Sequence, residues 1–522
     1  MADKAAAVRP NVFVHDDRVS GPTGNTLFDK SPQTPGDIAS LVRWLGKNRG
    51  LTSTTLWLLG EELAERYGWL DAAAELPEDA TGKELAEAAG KFIVNEIKHA
   101  FEQVMERTVV VQRESYRFNV YPHWNQVGNS APIVEIVVAR LAGELADGHR
   151  GVLDNLRAED PADLEPEIVT RVRFLAEQVK INTAGPGAIL ASRLADKTWS
   201  PPPPDGVWPI DNLAPTLFEP VQAAAQPVPK LGEKLVVVDQ RRAVLAAMGT
   251  VRFGMGTPYE KPGNKIDWLA EESKLPCAAV DVTLPATDQL GIPYILRLHP
   301  LQQRDRPVQV RVSTITVRHM MAPTADGGLG MELDDIVFGD AWVWPDTSPK
   351  LATWAKHMRG YFELAGDDLS LQIMLKEMYS RYYNHFASQY SKGAHRQPIF
   401  PGLIRADMRC RALRYPPLIQ KNEKSQGLLP VAAQTDAWFY IVPADFDIAV
   451  FNAYDTGQNG KYRVKDEPLM GTEAPEPTPP PATETPAPPV RQAHPQTSTS
   501  PDESTGHGGR GILNKLFGRD RR

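Results

Sequence analysis

The sequence is poor in the residues that most often announce chemistry. Its 522 residues include two cysteines, Cys277 and Cys410, far apart in the chain. That excludes a disulfide framework and a cysteine zinc site, and it fits a reducing compartment. No apolar run reaches the roughly eighteen residues of a membrane span, and no charged-then-apolar leader opens the chain. The expectation is a cytoplasmic protein without a transmembrane helix. The histidines never take the i, i+4 spacing of a metalloprotease helix, G-x-S-x-G is absent, and neither cysteine sits in a nucleophile motif. No catalytic residue, metal ligand or cofactor is therefore indicated. A net charge of −8 argues against a chain that wraps polyanions over its whole surface, so nucleic acid would need a local basic patch.

Proline is in excess. Nine of the 46 prolines fall between Ser200 and Pro229, and eleven more fall between Glu467 and Gly508. Each lacks an N–H donor, so neither segment can be a continuous helix or a central strand. This punctuation divides the chain into a flexible arm (1–35), a mainly helical domain (36–199), a Pro-rich hinge (200–230), an α+β domain (231–466), a disordered acidic tether (467–508) and a basic amphipathic tip (509–522). The fold class is multidomain: a mainly α N-terminal domain, then α+β with a mostly antiparallel sheet and one long helix, then the disordered tail.

Within the first half, Ile38, Leu41, Val42 and Leu45 mark one helical face, and Leu56, Leu59, Leu63 and Tyr67 a second. The pair resembles a helix-turn-helix, but Glu61, Glu62 and Glu65 on the second helix oppose phosphate, and an αα-hairpin is the expectation. Thr81-Gly82-Lys83-Glu84 is a capping box that starts a helix running to about residue 107. Residues 108–112 and 116–121 read as a hairpin, and Ser130 with Pro132 as another helix start. The Gly185-Pro186-Gly187 turn lacks the Lys-Ser/Thr of a P-loop.

In the second half the strand candidates are 277–284, 294–299, 308–317, 336–344, 403–415 and 437–442, with the phase slip at Ser313-Thr314 read as a β-bulge. Asp367 or Asp368 should cap a helix with the stripe Leu371, Leu375, Met378, Tyr382 and Phe386. The Gly366-Asp367-Asp368 letters match a polymerase turn, yet they head an amphipathic helix, where carboxylates cap N–H groups. Glu332, Asp334, Asp335 and Asp340 form an acidic cluster of the kind that can hold Mg²⁺, with no accompanying motif.

One constellation points to binding. If 403–415 is a strand, Arg405, Arg409 and Arg411 share its wet face, and with Arg311 and Arg318, or with Arg297, on the same exposed face they make a basic sheet platform for nucleic acid or a partner. Cross-strand pairing with Asp407 is the competing expectation. The tip carries Ile512, Leu513, Lys515, Leu516, Phe517 and Arg519, with a net charge of +4 over 509–522. It resembles the short basic amphipathic tips that dock peripheral proteins on anionic membranes, and the same letters suit docking on protein. With no catalytic motif and two linkers, the expected function is a non-enzymatic structural or assembly protein, a coat, scaffold or large-complex subunit, partnered by itself or by other subunits. A nucleic-acid-binding protein using the arginine platform and an enzyme with a dispersed site are the two alternatives.

Overall fold

The computed structural model describes residues 9–60, 62–69, 82–114, 116–127, 131–139, 151–153, 156, 161–181, 191, 194, 218–222, 225–387, 397, 399–465 and 467–471. Backbone contacts gather Met1–Thr472 into one compact unit. The tip, most of the tether, the Gly185 turn and the hinge prolines up to Pro215 lie outside the described residues.

The N-terminal half is built on a seven-stranded sheet. Its strands are β1 (Asn11–Val14), β2 (Val19–Ser20), β3 (Thr26–Phe28), β4 (Thr54–Leu58), β5 (Val110–Glu114), β6 (Arg117–Tyr121) and β7 (Val134–Val138), in the order β3-β2-β1-β4-β7-β6-β5. β1, β4 and β7 run parallel at its centre, and the outer pairings are antiparallel. Every residue of the three parallel strands is buried. A strand covered on both faces shows a continuous apolar run with no alternation. That is why 11–14 looked like an arm, 54–58 like a helix and 134–138 like the helix after Ser130; all three expectations are corrected, and the first half is an α/β layer where a mainly helical one was expected.

Among the described residues this half also contains α1 (Pro35–Arg49), α2 (Leu63–Arg66), α3 (Gly82–Met105) and α4 (Pro161–Phe174). A capping box that the sequence reading passed over starts α1: the Asp37 amide donates to Thr34 Oγ1 at 3.2 Å, and the Asp37 carboxylate accepts from the Thr34 amide at 3.0 Å. Helix α3 and the β5–β6 hairpin stand where the sequence placed them.

The C-terminal half holds antiparallel sheets. It contains β8 (Glu233–Gln240), α5 (Ala243–Met248), β9 (Phe253–Met255), β10 (Tyr259–Pro262), β11 (Ala278–Leu284), β12 (Val308–Ser313), α6 (Thr314–Met321), β13 (Val337–Val343), β14 (Asp346–Ser348), α7 (Ala352–Ala365), α8 (Leu369–Ala387) and α9 (Ile399–Ile419). It ends with β15 (Ala432–Gln434), β16 (Ala437–Pro443), β17 (Tyr462–Val464) and β18 (Leu469–Met470). One sheet has the order β10-β13-β11-β12, a second β15-β16-β8-β17 with β18 also on β8, and β14 pairs with β9. The slip at Ser313-Thr314 is not a bulge. It is the junction of β12 with α6, where Ser313 Oγ accepts from the Thr316 amide as an N-cap. Asp368 caps α8 as expected, its carboxylate accepting from the Leu371 amide at 3.0 Å.

The largest departure is α9. Residues 403–415 form the middle of a helix, and the expected basic strand does not exist. This helix is buried nearly all round, with Ile399–Met408 in one core cluster and Cys410–Ile419 in another. A helix contacted on every side shows no apolar stripe, and its alternating letters imitate a strand. The first of those clusters takes side chains from both sides of the hinge, Val12 and Phe101 as well as Trp354 and Phe400. Where the chain leaves the hinge, the Phe218 ring lies on Gly402 of α9 so closely that a Cβ there would come within 2.3 Å of it.

Candidate nucleic-acid interface

The arginines singled out by sequence are engaged inside the fold. Arg409 is 5% exposed and pairs with the fully buried Glu219. Glu219 also accepts from the Ser313 amide and from Thr316 Oγ1, each at 2.6 Å. Burial alone would push its carboxyl up; the Arg409 guanidinium outweighs this, with help from the two hydrogen bonds, and holds it below the ordinary carboxylate range. Arg405 donates to the carbonyls of Glu219 and Phe218 and, at 3.2 Å, to Tyr383 Oη. Arg411 donates to Asp407 and to Thr250, both at 2.7 Å. The Arg405 and Arg409 contacts pin residues 218–220 of the hinge onto α9.

Arg311 and Arg318 are engaged as well. Arg311 grips the Asp281 carboxylate with two hydrogen bonds of 2.7 Å across β11 and β12, which raises its own pKa further. Gly339 and Asp340 of β13 lie opposite Asp281 at a true bulge. Arg318 donates to the carbonyls of Trp268 and Ala270. Glu332, Asp334 and Asp335 lie in or beside a single 3-10 turn (Leu333–Asp335), while Asp340 is in β13. Among the described residues no group of three or more potential metal ligands comes together.

Cations with a different character sit on the connection between β11 and β12. Only residues 294–296 of the expected strand 294–299 are regular, and they form a 3-10 turn. The connection holds itself in shape: Gln302 Nε2 donates to the Pro285 carbonyl and Gln302 Oε1 accepts from the Leu298 amide, both at 2.9 Å, while the Thr287 and Asp288 amides donate to the carbonyls of Gln303 and Arg304. His299, buried beside the Glu219–Arg409 pair, accepts from the Leu301 amide through Nδ1. Burial first, and then the Arg409 charge, pull its pKa down to about 3, so it is neutral.

This rigid connection presents Tyr294 with two guanidinium groups beside its ring, Arg297 at 4.5 Å and Arg304 at 5.4 Å from the centroid. The three side chains line a cleft of about 550 Å³ completed by Pro293, Ile295, Gln222 and Val431–Ala433. Among the described residues no carboxylate lines it. Among the described residues neither Arg297 nor Arg304 has an ion-pair partner, and Arg297 Nε is buried without a hydrogen bond. A concave wall, one aromatic face and two uncompensated cations can take a planar ring on the tyrosine and an anion on the guanidinium groups. Sequence reasoning placed Arg297 on a strand as an optional member of the basic sheet platform, and missed Tyr294, Arg304 and Gln222. The available signal was the length of the connection, since a β–β link of more than about 12–15 residues is usually functional.

No family model matches the chain, and no curated protein matches it. Solved structures similar to it include Phi29 DNA polymerase with primer-template DNA, at 10% identity over 87% of this chain and 84% of that one, TM-score 0.46. The same polymerase with single-stranded DNA gives 8% identity over the same shares, TM-score 0.42. The similar structures are those of a DNA polymerase and include no coat, scaffold or large-complex subunit, contrary to the expectation from sequence. At this distance no residue role passes from them to this chain. No helix among the described residues is long and apolar enough to cross a membrane.

Proposed function

We propose that this chain binds single-stranded nucleic acid at the Tyr294–Arg297–Arg304 cleft. One observation carries the reading: two guanidinium groups that have no carboxylate partner among the described residues flank one tyrosine ring at a cleft of about 550 Å³. Aromatic stacking accepts any base and the arginines accept phosphate, so recognition is tolerant of sequence and sensitive to salt. An unstacked base suits a concave pocket, whereas a duplex keeps its base faces covered. The binding patch is local, in keeping with a chain of net charge −8.

The test is fluorescence anisotropy of a labelled oligothymidine titrated with full-length protein from 50 to 200 mM salt. Tyr294→Ala should weaken binding by about 1–3 kcal/mol, a factor of roughly 5 to 150. Arg297→Gln with Arg304→Gln should flatten the log–log salt slope by about 1.4, the share of two phosphate contacts on a single strand. Absence of binding by the parent at low salt, or unchanged binding in both the Tyr294→Ala variant and the double arginine variant, would remove the proposal.

A further inference from the structure

The cleft gathers three chemistries around one ring. Tyr294 offers an aromatic face, and the guanidinium groups of Arg297 and Arg304 lie 4.5 Å and 5.4 Å from the centroid of that same ring. Gln222 lines the cleft from the hinge segment and is only 8% exposed. Its main chain is fixed, since the Gln222 carbonyl accepts from the Thr435 amide at 2.8 Å. Its side-chain amide makes no hydrogen bond among the described residues, so a donor group and an acceptor are left for what enters the cleft.

The two arginines set the charge of the occupant. Arg297 is half-buried; Nη1 donates to the Tyr294 carbonyl at 3.3 Å, and Nε is buried without a hydrogen bond. A guanidinium drawn partly out of water with no counter-charge gains most from an anion that brings full charge and several acceptor oxygens. A phosphate inside a strand carries one charge and has two free oxygens, whereas a phosphomonoester carries about −1.5 to −2 at pH 7 and has three. Because both guanidinium groups stand beside one ring, a nucleotide stacked on Tyr294 presents them with its own phosphate. The volume of about 550 Å³ is that of a small-molecule site and suits one nucleotide.

We propose that the cleft holds the phosphorylated end of a single strand: the terminal base on Tyr294, its polar edge on the Gln222 amide, and the terminal phosphomonoester on Arg297 and Arg304 together. The assignment rests on the single-strand reading of the same cleft and names the part of the strand that enters it. The shared chemistry is a nucleoside phosphomonoester, which a 5′ end, a 3′ end or a free mononucleotide can supply.

Calorimetric titration of the full-length protein at low salt separates these sources, using short oligothymidines with a 5′-phosphate, with a 3′-phosphate or with hydroxyls at both ends, and thymidine monophosphate. One phosphate-ended strand should bind about tenfold or more tightly than the hydroxyl-ended strand, the share of a further charge-assisted hydrogen bond. Arg297→Gln with Arg304→Gln should bring that ratio to about 1, and the exposed Arg304→Gln alone should remove part of it. Equal affinity of the parent for phosphate-ended and hydroxyl-ended strands, or an unchanged ratio in the folded arginine variants, overturns the proposal and leaves the single-strand reading standing. Thymidine monophosphate bound as tightly as the phosphate-ended strand would make this a mononucleotide site and overturn the strand-end assignment. Absence of binding to every strand removes both readings.

Discussion

Arg405, Arg409 and Arg411 on α9, and Arg297 and Arg304 on the β11–β12 connection, carry the same headgroup in opposite surroundings. The first three are met by the Glu219 and Asp407 carboxylates, main-chain carbonyls and hydroxyls. The last two meet an aromatic ring and an open cleft, with Arg297 also donating to the Tyr294 carbonyl at 3.3 Å and neither meeting a carboxylate among the described residues. Guanidinium groups that satisfy buried acceptors hold the fold together, and those facing a tyrosine without a counter-charge are free to hold a ligand. The density of arginine in the sequence pointed to the set that is engaged inside the fold, because density says nothing about partners.

Breaking the buried set should have the largest effect. Arg409→Gln strands the Glu219 carboxylate at 0% exposure, and losing one partner of a buried pair costs about 3–5 kcal/mol. Chemical denaturation should show that loss, and adding Glu219→Gln should recover part of it. Full stability in Arg409→Gln alone would erase the distinction between the sets.

Acid should act next, and on the same buried group. His299 in the fold holds off protonation to about 3, while the unfolded side chain protonates near 6.5. The unfolded chain then binds the extra proton, so stability is present above about pH 6.5 and is lost as pH falls from there towards 3, by up to about 1.4 kcal/mol per pH unit. His299→Asn, which keeps an acceptor for the Leu301 amide, should flatten the thermal-denaturation profile between pH 6 and 4. Glu219, with its folded pKa lowered, adds a further loss only at more acid pH. An unchanged profile in the variant would mean that His299 is not held neutral.

The smallest expected effect sharpens the other side of the comparison. Arg304 is exposed and has no ion-pair partner among the described residues, so Arg304→Gln should leave stability within about 0.5 kcal/mol of the parent. A loss of several kcal/mol would place Arg304 with the structural set.

Local signals were legible wherever the element could be read from one face. The stripe Leu371, Leu375, Met378, Tyr382, Phe386 lies on α8 below the Asp368 cap, and the 108–121 hairpin and the strands 278–284, 337–343 and 437–443 are in place. Elements buried on every side were misread, since β1, β4 and β7 lack alternation and α9 lacks a stripe. The phase slip after Val312 was seen correctly, but its cause, a Ser313 cap that turns strand into helix, needed the backbone.

By itself the sequence determined capping, turn chemistry, one-faced amphipathicity and the absence of local catalytic motifs, because each depends on residues within a few positions of one another. Only the tertiary structure decided which charges are available. Glu219 meets Arg409 across 190 positions, and Gln222 reaches a cleft whose other walls come from 293–304 and 431–433. The free energy of a guanidinium group is set by its desolvation and its nearest counter-charge, and both are fixed when chain segments that distant are packed together.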